Sequence, residues 1–147
     1  SIYQQHFGND KIYAPPPVDL AAERAHGNFV RQQILAGKIN AAHDISDGGL
    51  AVAIAEMALK SGLGASIMVP DSGPLHGWAF GEDQARFVVS TENGAALTAA
   101  AEDAGIEITK IGMVNEASEL KFGDRDTISL RELNDVFEGC IPSLMAG

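Results

Sequence analysis

Two short stretches of this chain carry the residue types that handle phosphate and magnesium. The first is His43-Asp44-Ile45-Ser46-Asp47-Gly48-Gly49-Leu50, at the junction between an apolar run and a helical pattern. The N–H groups of a first helical turn lack intrahelical partners, and the helix dipole favours negative charge there. Carboxylates beside a phosphate repel it, unless a divalent cation lies between them. A second reading of the same residues stays open. Asp or Ser ahead of a helix acts as an N-cap worth about 1 kcal/mol, and glycines at a strand-to-helix turn can serve packing alone.

The second stretch is Gly81-Glu82-Asp83-Gln84-Ala85-Arg86, just before an apolar strand pattern. Glu82 and Asp83 offer hard oxygen ligands to magnesium, directly or through water. Gln84 offers both a donor and an acceptor. Arg86 suits a phosphate or a bidentate carboxylate pair. The competing reading is a polar loop closed by an internal Arg–carboxylate pair. Trp78 and Phe80, flanking this stretch, read as core anchors rather than as a base-stacking platform. His43 reads as a hydrogen-bonded strand-end residue rather than a general base, and His6, His26 and His76 have no ligand-like spacing. No GxSxG, HExxH or Gly-rich loop ending in Lys-Ser or Lys-Thr occurs, so a nucleotide held here is not held in the P-loop manner.

These stretches need a frame to position them. Residues 1–17 read as a linker from a preceding domain, with Ala14-Pro15-Pro16-Pro17 as a stiff extended break. Residues 18–147 read as the domain. Asp19 can cap an amphipathic helix over 20–36, whose apolar positions are Leu20, Phe29, Val30, Ile34 and Leu35 and whose stop is Gly37. A strand at 39–43 runs into the first motif. The helix at 50–60 is apolar nearly all round and so is expected to be covered on most sides. A strand at 65–69 follows, then an irregular segment at 71–85 and a strand at 86–91. Asn93 can cap an Ala-rich helix that ends at Gly105. Residues 106–114 read as one long strand. The alternating segments 118–122 and 126–130, joined by Gly123-Asp124, read as a hairpin. A last helix is expected over 130–138. Helices and strands that interleave, with a terminal antiparallel pair, predict an α/β domain with a mixed sheet and helices packed on it.

Composition narrows the classes of function. The 147 residues suffice for one domain with a core, and 46% hydrophobic content excludes a disordered tail. A net charge of −10 argues against a nucleic-acid surface, which needs clustered Lys and Arg. The lone cysteine, Cys140, cannot build an internal disulfide; it reads as a packing residue in a reducing, cytoplasmic setting. No apolar run approaches a membrane span. The first residue is Ser rather than Met, which fits either a processed product or an excised piece of a longer chain.

Both motifs, in this order and at this distance, resemble the C-terminal domain of the phosphoribosylformylglycinamidine synthase family. Ala42-His43-Asp44-Ile45-Ser46-Asp47-Gly48-Gly49-Leu50-Ala51 and Phe80-Gly81-Glu82-Asp83-Gln84-Ala85-Arg86 carry the likeness, with Pro15-Pro16-Pro17-Val18-Asp19-Leu20 as the lead-in. This family sits within the aminoimidazole ribonucleotide synthetase-like C-terminal domain superfamily. The resemblance implies a three-layer α/β/α domain with partial ferredoxin-like similarity. It implies a cytoplasmic, ATP- and Mg2+-dependent ligase of purine biosynthesis. There the amide oxygen of formylglycinamide ribonucleotide is phosphorylated, and ammonia from glutamine displaces the phosphate to leave an amidine. By position, the resemblance makes Asp44 and Glu82 the metal ligands. It makes Ser46, Asp47, Gly48, Gly49, Gln84 and Arg86 the nucleotide-binding set. No catalytic residue is carried over. The implied partners are the remaining domains of the same synthetase, a glutaminase subunit and a small bridging subunit, with no nucleic acid and no membrane. The likeness is to the second of two pseudo-symmetric copies in that enzyme, so a catalytic and an auxiliary nucleotide site are both open. The alternatives are another ATP-dependent superfamily member, such as aminoimidazole ribonucleotide synthetase, and a non-catalytic nucleotide-binding scaffold. The isolated chain, lacking the other domains, is expected to be inactive.

Overall fold

A computed structural model describes residues 18–124 and 126–145, with the side chains from 140 onward not described. The expected linker at 1–17, His6 and the Cys140 side chain therefore lie outside the described residues. The elements are α1 (Leu20–Leu35), β1 (Ala41–Asp44), α2 (Gly49–Ser61), β2 (Gly64–Ile67), α3 (Leu75–Phe80), β3 (Phe87–Ser90), α4 (Gly94–Asp103), β4 (Gly112–Asn115), β5 (Glu119–Phe122), β6 (Asp126–Ser129) and α5 (Leu130–Met145). The described residues divide into two compact units. One comprises 18–54 and 72–110; the other comprises 55–71 and the residues from 111 onward.

In the first unit β1 and β3 form an antiparallel pair, with Ala41 opposite Ser90 and Asp44 opposite Phe87. Helices α1 and α4 supply the core: Phe29, Leu97 and Ala101 are buried together with Ile39, and Val30, Val89, Ile106 and Ile108 pack against them. Both helices start at the caps legible in the sequence. The Asp19 carboxylate accepts from the Ala21 and Ala22 N–H groups at 3.0 Å, and the Asn93 side-chain oxygen accepts from Ala96 N–H at 3.0 Å. Asn93→Ala removes this partner from the first turn of α4. It is expected to destabilise the chain by about 1 kcal/mol, read as a lower urea midpoint with an unchanged slope.

The buried stripe of α1 differs from the apolar one in the sequence. Ala22, His26, Gly27, Phe29, Val30 and Gln33 are the buried or half-buried positions. Leu20 and Leu35 are 72% and 74% exposed. At 3.6 residues per turn they lie about 180° and about 120° around the helix from Phe29, outside this stripe. The stripe is chosen by what packs on it, and small or polar residues occupy part of it.

In the second unit the sheet order is β4-β2-β5-β6. β2 runs antiparallel to β4 and parallel to β5, and β5–β6 is the expected hairpin, with Leu120 opposite Ile128. The expected α/β class with a mixed sheet is borne out. Successive side chains in a strand point to opposite faces. Ala65 and Ile67 on β2 and Leu120 on β5 thus share one face and are buried, while Ser66 and Met113 on the other are exposed.

Four of the departures from expectation have a clear physical cause. β1 begins at Ala41, because Ile39 turns into the core and leaves the ladder to start at Asn40, whose N–H donates to the Ser90 carbonyl. The segment expected to be irregular contains α3, which has no side-chain cap and an internal Gly77; packing of Ala79 rather than local propensity holds it. The long strand at 106–114 is divided. Ile106 and Ile108 pack on the first unit's core, and only Gly112–Asn115 joins a sheet. α5 continues through Gly139 to Met145 instead of stopping at Glu138. α2 matches its expected cover: no residue from Gly49 to Leu59 is fully exposed.

Candidate functional site

The pairing of β1 with β3 draws the two motifs together. The ladder extends past Asp44, since the Ile45 N–H donates to the Arg86 carbonyl at 2.9 Å. Residues distant in sequence are thereby adjacent at the start of α2. The chain then turns through Ser46, Asp47, Gly48 and Gly49, with Gly49 N–H donating to the Ser46 carbonyl at 3.1 Å.

Gly48 and Gly49 both have left-handed backbone, with φ of +83° and +73°. Gly49 is also pressed onto the second motif. A Cβ there would lie 2.7 Å from the Phe80 backbone and 2.9 Å from the Gly81 carbonyl oxygen. Only glycine permits both the conformation and the approach. The Gly48 N–H donates to the Glu82 carboxylate at 3.3 Å. A residue of the second motif thus supplies the acceptor at the N-terminal end of α2, where a negative group is favoured by the helix dipole. Among the described residues, neither the Ser46 hydroxyl nor the Asp47 carboxylate caps the helix. Their side chains are exposed, while Ile45 and Leu50 on either side are buried and pin the turn.

Asp44 is exposed, its carboxylate 3.7 Å from the His43 ring Nδ1, and that nitrogen donates to the Asp44 carbonyl at 2.6 Å. His43 is thus engaged with its neighbour's backbone, in keeping with the hydrogen-bonded role expected of it. In the second motif the internal pair of the competing reading does form: Arg86 Nη1 lies 3.2 Å from Asp83 Oδ2. Exposed pairs of this kind hold a side chain only weakly, at about 0–1 kcal/mol, so Arg86 can be drawn to a multiply charged anion. Glu82 stays outside that pair and is tied to Gly48. The structure therefore joins Gly48, Gly49 and Glu82 directly and brings Asp44 and Arg86 to one strand pair. Ser46, Asp47 and Gln84 stand at the exposed margins. Trp78 and Phe80 are half-buried, and Ala79 between them is the buried member of α3.

Two contributors escaped sequence reasoning. His26 Nδ1 lies 2.7 Å from the Ala85 carbonyl oxygen. Ala85 has φ +61°, the one left-handed non-glycine residue among those described. A signal for His26 existed in its spacing from Phe29 and Val30, which places it on the buried stripe of α1.

The donor set suits a hard cation only as part of a larger shell. Asp44 and Glu82 are oxygen donors, and magnesium is commonly held by one or two carboxylates with phosphate oxygens and water completing the octahedron. Among the described residues no group of three or more His, Cys, Asp or Glu side chains comes together as a metal cluster. No helix among them is long and apolar enough to cross a membrane.

Comparison with known proteins gives the family of this chain. Residues 2–125 match the family described as AIR synthase related protein, C-terminal domain. The chain belongs to that family. Its relatives include Phosphoribosylformylglycinamidine synthase subunit PurL of Parvibaculum lavamentivorans, 52% identical over 99% of this chain and 20% of that protein. The same subunit of Methylocella silvestris is 46% identical over the same shares. The chain spans about a fifth of the length of these curated relatives. Among solved structures, T. maritima PurL complexed with FGAR superposes with a TM-score of 0.71 at 21% identity, covering 86% of this chain and 23% of that one. T. maritima PurL complexed with ATP gives 0.64 at 20% identity, covering 75% and 21%. These likenesses extend the fold of this AIR synthase related domain to proteins of low sequence identity. The resemblance expected from the two motifs is borne out.

Proposed function

We propose that this chain is the C-terminal domain of a synthetase that uses ATP and ammonia from glutamine to convert formylglycinamide ribonucleotide to formylglycinamidine ribonucleotide, and that it holds a nucleotide at the start of α2. The observation that carries this reading is the 52% identity over nearly the whole chain to one fifth of a PurL subunit. The union of both motifs by β1 and β3 supports it. In this reading residues 1–17 are the linker and 18–147 the domain. The partners are the other domains of the synthetase, a glutaminase subunit and a small bridging subunit, in the cytoplasm. The structure of PurLQS from Thermotoga maritima, similar in fold at a TM-score of 0.68, supports an assembly of this kind.

The division of labour follows from the residues. Asp44 and Glu82 would hold Mg2+, Glu82 through a carboxylate that accepts from the Gly48 N–H. The metal, when bound, offsets phosphate charge. Ser46 and Asp47 would present hydroxyl and carboxylate groups to the nucleotide beside the start of α2, from a turn that Gly48 and Gly49 shape. Gln84 and Arg86 face the phosphates from the second motif, with Arg86 exchanging Asp83 for the anion. Phosphorylating the amide oxygen makes it a better leaving group, so the protein's task is positioning and charge stabilisation.

Asp44→Asn in the full-length synthetase tests this. The substitution keeps size and removes charge at an exposed position, so folding is expected to be unaffected. MgADP affinity measured by calorimetry is expected to fall at least about tenfold, or 1.4 kcal/mol. Loss of turnover alongside identifies the site as catalytic; retained turnover identifies it as auxiliary. Unchanged MgADP affinity defeats the nucleotide reading and leaves the scaffold.

A further inference from the structure

We propose that His26 is a positioning residue: a latch from α1 that holds Ala85 in left-handed backbone and so sets how Gln84 and Arg86 are presented. The backbone at Ala85 cannot hold this conformation for free. An L-residue other than glycine at φ +61° suffers close approach of Cβ to the following carbonyl. Such residues persist where their surroundings over-determine them. Two fixed bonds anchor the two peptides that follow the Ala85 Cα. The His26 ring meets its carbonyl at 2.7 Å, and the next carbonyl, that of Arg86, accepts from the Ile45 N–H at 2.9 Å. The left-handed residue immediately ahead of these anchors turns the chain from the loop into β3.

A carbonyl oxygen only accepts, so the His26 Nδ1 must carry the hydrogen. That fixes the neutral ring as the Nδ1–H tautomer and defines the geometry a substitute must reproduce. Asn places an amide N–H near the Nδ1 position, whereas Gln places one nearer Nε2. His26 comes from the same helical stripe as Phe29, which is buried in the first unit's core, so the latch rests on a rigid support. The contact lies 59 residues apart in sequence and is half-buried. A half-buried bond to an element of the core orders the loop more firmly than the exposed Asp83–Arg86 pair can. The functional consequence rests on the proposed role of Gln84 and Arg86 in holding nucleotide.

The first test is the nitrogen–proton NMR of the His26 ring in this chain in alkaline buffer. An Nδ1–H tautomer is expected; an Nε2–H tautomer overturns the latch. The second compares amide resonances of Gln84 to Phe87 in His26→Asn, His26→Gln and His26→Leu. The Leu and Gln variants are expected to shift these amides, and Asn to leave them close to the parent. Unmoved amides in the Leu variant overturn the latch. Should His26→Leu fail to fold, the double variant with Ala85→Gly is expected to fold, because glycine adopts the left-handed backbone unaided; an equal failure overturns the proposal. In the full-length synthetase MgADP affinity is expected to fall about fivefold or more in His26→Leu and recover in His26→Asn. Shifted amides with unchanged MgADP affinity uphold the latch and overturn the nucleotide role of Gln84 and Arg86.

Discussion

Gly49→Ala is expected to destabilise this chain by about 3 kcal/mol. Two costs combine. The residue has φ +73°, where a Cβ costs about 1–2 kcal/mol. The new Cβ also meets the Phe80 backbone at 2.7 Å, and backbone cannot rotate away as a side chain can. Overpacking of this kind costs about 1–3 kcal/mol. Gly37→Ala separates the two costs, since Gly37 has φ +68° with nothing within 4 Å of its Cβ position. It is expected to lose only the conformational part, about 1 kcal/mol. Urea unfolding of both variants checks the difference. Equal losses would show that the first motif does not sit on Phe80 and Gly81. Under the function proposed above, Gly49→Ala is also expected to weaken MgADP binding by the full-length protein, because the turn that carries Ser46 and Asp47 must move away from Glu82.

Leu120→Ala is expected to cost about 3–4 kcal/mol. Leu120 is 1% exposed on an interior strand, opposite Ala65 on one side and Ile128 on the other. Its loss leaves a cavity that short β-strands cannot collapse around without breaking their ladders. Met113→Ala is the matched control. Met113 is 65% exposed on the opposite face of the same sheet and is expected to cost less than about 0.5 kcal/mol. Thermal unfolding followed by circular dichroism distinguishes them. A Leu120→Ala variant no weaker than Met113→Ala would overturn the assignment of the two sheet faces, since exchanging the faces is what a one-residue register slip does.

The parts of the fold legible in the sequence are those whose causes lie within a turn or two of chain. The Asp19 and Asn93 caps act on N–H groups two or three residues ahead. The left-handed stops at Gly37 and Gly105 close helices at their own C-terminal ends. The hairpin of β5 and β6 is joined through Gly123, also left-handed. The α/β class follows from the order of such local signals. The site was legible in the same sense: two clusters of phosphate- and metal-compatible residues are visible as short words, as are glycines beside a helix start.

Other features depend on partners far along the chain. The stripe of α1 that is buried could not be read from Leu20, Ile34 and Leu35, because the surface packed against it selects Ala22, His26 and Gln33 beside Phe29. Residues 106–114 have uniform β character, and only their division between two units decides that Gly112–Asn115 is strand and Ile106 and Ile108 are core. α3 has weak propensity and exists through packing.

The residue chemistry of the site, its two glycine-bearing turns and the α/β order of elements were determined by the sequence itself, since each is a property of adjacent residues. Only the tertiary structure decided that the turns share one place. It made Glu82 the acceptor for Gly48, made Gly49 the contact point for Phe80, and put His26 under Ala85. Those outcomes rest on the register of β1 against β3, in which Asp44 faces Phe87. A strand register is set by the fit of whole faces and cores, and no local pattern of residues encodes it.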